Sequence, residues 1–173
     1  MVKSQSHHAN TELVQELTEN TVTGGVAMIN HALAEMWQET DDILMHDWYL
    51  ALLASAFGNL VFIDQPGELY RQHSDNVLGA RTLSKRFKKW IRPHILFAVY
   101  WDLIKNSQKQ ACHLLQMPLS QSNRELIEAF VTIMDKSMLG RFRILRKYGL
   151  RKNKAFHTLV FTTLIVTKFA YKE

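Results

Sequence analysis

The ten residues WYLALLASAF, from Trp48 to Phe57, are helix-compatible and apolar on nearly all sides. A helix without a polar face has to be enclosed by other elements, so the rest of the chain must build a core around this one. With 173 residues there is room for a single domain with a substantial core. Gly58 is placed to end the helix. The residues at its head are out of keeping with burial: His46 and Asp47 precede the apolar run, and a second polar group, Tyr70-Arg71-Gln72-His73, follows some twelve residues beyond it. Two polar clusters flanking a buried unit suggest a site.

Upstream, Leu13, Val14 and Leu17 have helical spacing. The stretch "NTVTGGVAMINHALAEM" opens with β-branched residues, turns at Gly24-Gly25 and continues in a helical pattern. "NLVFID" predicts a short buried strand, Pro66-Gly67 a turn and "ELYRQH" a second strand. From Ser84 onward the texture is helical, with a break around Pro93. Leu126, Ile127, Phe130, Val131 and Met134 share one face. The expectation is an α/β part over residues 1–80 followed by an all-α basic tail over residues 81–173, mostly helical overall.

The lone cysteine, Cys112, excludes an internal disulfide and a cysteine-based zinc site. The opening "MVKSQSHHANTELVQEL" has no apolar stretch of the kind a signal peptide needs. Charge is split between the halves. Residues 1–80 hold 11 acids against 2 bases, a net of −9, and residues 81–173 hold 19 bases against 5 acids, a net of +14. The basic half could face nucleic acid or an anionic membrane.

Asp47 has two readings. Like Asp41 and Asp42, it could cap its helix and interact with the helix dipole. Alternatively it is a general base in a cleft. His73 is a surface histidine or a metal ligand, and Arg71, two residues earlier on the same strand face, suits a diphosphate. Gly24-Gly25 is a turn, or a place where backbone approaches a ligand closely.

In order along the chain, "NTVTGG", "HDW" and "YRQHSDNVLGA" resemble the C-terminal half of the catalytic domain of family-2 glycosyltransferases. The most similar members are the rhamnosyltransferase-like enzymes of bacterial cell-surface polysaccharide synthesis. The resemblance spans about residues 20–81 and is most specific from Met45 to Ala80. It implies a partial GT-A type domain and an inverting hexosyl or rhamnosyl transfer from a nucleotide-diphospho-sugar to a saccharide acceptor.

Under that resemblance Asp47 is the catalytic base, and Gly24 and Gly25 form the loop beside the sugars. Trp48 lines the acceptor side, His46 shapes the acceptor environment, and Tyr70 and Arg71 order the donor phosphates. His73 helps hold a divalent metal, Mg or Mn. Many relatives have Glu where this chain has His46. The chemistry suits these residue types: a weakly acidic hydroxyl needs a base, and the leaving diphosphate needs a Lewis acid and Arg.

The family's nucleotide-binding half, with its Asp-x-Asp metal ligands, has no counterpart here. One βαβ unit takes about 30 residues or more, and only about 20 precede Thr23. The chain is therefore expected to be a C-terminal fragment, inactive alone, unable to bind a nucleotide sugar tightly, loosely ordered and prone to self-association.

Basic residues recur in the tail. Arg81, Lys85, Arg86, Lys88, Lys89 and Arg92 surround Phe87, Trp90 and Ile91. Arg141, Arg143, Arg146, Lys147, Arg151, Lys152 and Lys154 form a second cluster. Basic residues interleaved with aromatic ones describe a solvated face or an interfacial membrane helix. The acid- and base-free run Ala155–Thr167 is shorter than the ~20 residues a spanning helix needs. A cytoplasmic location is expected, peripheral on the inner face of the cell membrane, with a lipid-linked saccharide as an admissible acceptor. No nucleic acid is expected as partner, since no recognised binding motif is present. The competing reading is a non-catalytic basic helical module that binds anionic membrane, nucleic acid or a protein.

Overall fold

The computed structural model describes residues 10–37, 43–65 and 93–171. Seven α-helices occur among them: α1 (Leu13–Glu16), α2 (His31–Glu35), α3 (His46–Phe57), α4 (Pro93–Leu114), α5 (Gln121–Val131), α6 (Met138–Tyr148) and α7 (Ala155–Thr167). Two short 3-10 turns, Gly24–Val26 and Ile133–Asp135, lie between them.

α3 is enclosed as its composition requires: Trp48, Tyr49, Ala51, Leu52, Leu53, Ala54 and Ala56 are all buried. Burial of a large apolar side chain contributes about 1.5–3 kcal/mol, so this helix anchors the interior. It shares one core with Leu13 and Leu17 from the N-terminal segment, Trp101, Ile104, Ala111 and Leu114 of α4, and Ile127 and Phe130 of α5. The same core continues into Ile133, Leu145, Phe161, Leu164 and Ile165.

Helix starts follow local chemistry. The Asn30, Ser120 and Ser137 side chains accept from the amides of Leu33, Asn123 and Gly140, which relieves unpaired donors at the heads of α2, α5 and α6. α6 ends at Gly149, whose φ of 67° is left-handed and therefore favours glycine.

The N-terminal segment is tied directly to the C-terminal half. Thr18 Oγ1 donates to Arg151 O at 2.6 Å, and the Lys152 ammonium donates to Thr18 O. Asn153 N donates to Glu19 Oε2 at 3.0 Å, and Ser107 Oγ to Leu17 O at 2.5 Å. Acidic and basic halves thus share one interior and one set of backbone contacts.

The α/β expectation is overturned: no strand and no sheet occur among the described residues. "NLVFID", expected as a buried strand, is irregular, and Val61, Phe62 and Ile63 are 74%, 43% and 60% exposed. A β-branched run becomes a strand only where a neighbour pairs with its backbone, and no described residue does so. The β-branched start of "NTVTGG" is likewise loop, leading into the 3-10 turn. A partial GT-A sheet is therefore not the architecture of these residues. The "ELYRQH" strand, the Pro66-Gly67 turn and the basic cluster 81–92 lie outside the described residues. No helix among the described residues is long and apolar enough to cross a membrane.

Candidate functional site

Asp47 lies in the first turn of α3, where a carboxylate is favoured by the helix dipole. It does not cap the helix: the N-cap is Met45, which makes no side-chain capping bond. Asp41 and Asp42 lie outside the described residues. The Asp47 carboxylate is nearly buried and has three donors among the described residues. Oδ1 accepts from Asn20 Nδ2 at 3.2 Å and from the Trp48 amide at 2.8 Å, and Oδ2 accepts from the Gly24 amide at 3.2 Å. A carboxylate has about four acceptor positions, and the described residues leave one on Oδ2 unused.

These bonds bring the glycine turn onto the head of α3. A Cβ added at Gly24 would lie 2.8 Å from His46 Nε2 and 3.5 Å from Asp47 Cβ. Glycine here lets the backbone approach the His46 ring closely, with no left-handed φ involved. Gly25 is exposed on the outer side of the turn, and the His46 ring is also exposed. Gly24, His46 and Asp47, distant in sequence, therefore form one cluster.

Trp48, expected on the acceptor side, is buried instead: its ring is in the core and its indole N–H donates to Glu16 O at 2.7 Å. An aromatic ring beside the cluster is Trp37, which is half-buried and meets the Tyr49 ring edge-on. It lines a shallow, almost wholly apolar depression of about 320 Å³ with Ile29, Ala34, Leu50 and His46. The cluster thus joins a polar base to an apolar wall, with His46 in both.

A second carboxylate supports the same loop from below. Glu16 is fully buried and accepts from the Thr21 hydroxyl and, at 3.4 Å, from the Thr21 amide. Burial pushes its carboxyl up to about 7, with a smaller push from Glu19, and the Thr21 bonds oppose the shift. Residues 20–24 are thus held by Glu16 through Thr21 and by Asp47 through Asn20 and Gly24.

Tyr70, Arg71 and His73, expected to order donor phosphates and a metal, lie outside the described residues. Among the described residues no three His, Cys, Asp or Glu side chains come together to hold a metal ion. Asn20, Glu16 and Trp37 escaped the sequence reading. Asn20 and Asp47 are 27 residues apart, and no periodicity links them. No family model matches the chain, and neither a curated protein nor a solved structure does.

Proposed function

We propose that residues 20–37 and 43–58 form the acceptor-side wall of a glycosyl-transfer site, with Asp47 as the base that takes the proton of an acceptor hydroxyl. The observation that carries this reading is the bracing of Asp47 by Asn20, Gly24 and Trp48, which holds the carboxylate in one orientation with an acceptor position to spare. Fixed orientation is what a general base needs, because the proton must lie within hydrogen-bond reach. The apolar depression beside His46 suits the C–H face of a saccharide ring, with Trp37 as its aromatic surface.

In this reading Tyr70, Arg71 and His73 contribute to holding the nucleotide-diphospho-sugar and its divalent metal. The acceptor belongs to bacterial cell-surface polysaccharide synthesis. The net charge of +14 on residues 81–173 supports a peripheral location on the inner, anionic face of the cell membrane.

The test is nucleoside diphosphate release by the chain fused behind a nucleotide-sugar-binding unit, with and without saccharide acceptor. Asp47→Asn should lower the acceptor-dependent rate on the order of 10²–10⁴-fold while the helical circular dichroism is retained. An unchanged rate would remove Asp47 from the chemistry and leave a non-catalytic basic helical module as the better account.

A further inference from the structure

α6 presents two unlike faces. Inward, Leu145 is buried and Ile144 and Tyr148 pack against the core. Arg141 is also turned inward: its guanidinium donates to Val166 O at 3.1 and 2.7 Å and to Lys136 O at 2.6 Å. It is thereby used up on the end of α7, and it fixes how α6 is rotated. Outward, at 100° per residue, Met138, Phe142, Arg146, Leu139, Arg143 and Lys147 follow one another around a single arc. All six are exposed, with Met138 at 61%, Leu139 at 56% and Phe142 at 45%.

The charge of this arc has one sign. α6 contains no acid, and the nearest upstream is Asp135, before Lys136. Arg143 and Arg146 have no ion pair among the described residues, and Lys147 donates to its neighbour Tyr148 at 3.1 Å, with Glu125 also acting on its charge. Arg151 and Lys154, which follow Gly149 in the sequence, are also exposed.

We infer that the outward face of α6 is a docking surface for an anionic lipid bilayer, with Met138, Leu139 and Phe142 entering the headgroup–acyl boundary and Arg143, Arg146 and Lys147 pairing with lipid phosphates. The inference rests on the peripheral location proposed above and names the face and the lipid class. Nucleic acid would satisfy the guanidinium groups, but it leaves three large apolar side chains without a dry environment. A bilayer interface satisfies both at once. Each basic residue close to an anionic surface strengthens binding roughly fivefold, so three of them with an apolar wedge are enough for salt-sensitive, reversible attachment.

The experiment is co-sedimentation of the full chain with phosphatidylcholine vesicles containing a third phosphatidylglycerol, at low salt, with phosphatidylcholine alone as the neutral reference. Leu139→Glu/Phe142→Glu and Arg143→Gln/Arg146→Gln are compared with wild type and with Val61→Glu, an exposed apolar position elsewhere. Wild type and Val61→Glu should pellet with the anionic vesicles, and each α6 variant should bind at least tenfold more weakly with unchanged circular dichroism. If wild type binds and the α6 variants bind equally well, the peripheral location stands and the α6 face is wrong. If wild type ignores anionic vesicles, or binds duplex DNA with steep salt dependence instead, both fail.

Discussion

A methyl group at Gly24 would collide with the tip of the His46 side chain, but that ring is exposed and can swing away. Gly24→Ala should therefore change stability by less than about 1 kcal/mol while displacing His46, which the His46 ring resonances in NMR would report. An unmoved ring would mean that the turn yields instead. Glu16 gives the residue scale its pH dependence. Its carboxyl sits at about 7 in the folded chain against 4.5 as the ordinary value. The folded state thus holds the proton more tightly, and stability is fully present below about pH 4.5 and lost as pH rises through about 7. The span corresponds to a loss on the order of 3 kcal/mol. Glu16→Gln should flatten the fall in melting temperature between acid and mildly alkaline pH, and an unchanged slope would exclude Glu16 as its source. At this scale His46, Asp47 and Gly24 were legible because their types are unusual beside an apolar helix. Asn20 and Glu16 were not, since their work depends on contacts that only folding creates. Trp48 belongs to the apolar run read as buried, and its ring is in the core, whereas the resemblance puts it on the acceptor side; a large aromatic next to a polar pair fits a site wall and a core equally well, and neighbouring residues of a helix point about 100° apart.

The same contrast governs the elements. α5 was readable because the positions of Ile127 and Phe130 satisfy helical periodicity, and both are fully buried. Residues 59–64 were not, because β-branched composition records a preference while strand formation needs a partner. The end of α6 supplies a prediction that separates conformation from packing. No atom lies within 4 Å of where a Cβ at Gly149 would be, so any cost of Gly149→Ala comes from its φ of 67°. It should destabilise by about 1 kcal/mol, whereas Phe130→Ala, in the core, should cost about 3–5 kcal/mol. Chemical denaturation of both variants checks the ranking, and a larger loss at Gly149 would reverse it.

Across the whole molecule, the charge split suggested two bodies with different partners, and the interior joins them. Leu13 and Leu17 from the acidic half and Phe161, Leu164 and Ile165 from the basic half belong to one core. A shared core calls for a single cooperative calorimetric transition, whereas composition and the family resemblance alone suggested a loosely ordered, self-associating species. Two separated transitions, or none, would return the advantage to the looser picture. How the charge halves meet was not legible, since the bonds from Thr18 and Glu19 to residues 151–153 join backbone to side chain over more than a hundred positions. The joined interior also means that covalent continuity is not what holds the halves together. Residues 1–65 and 66–173, produced as separate polypeptides, should find each other in solution and elute as one species, each supplying the apolar surface that the other lacks.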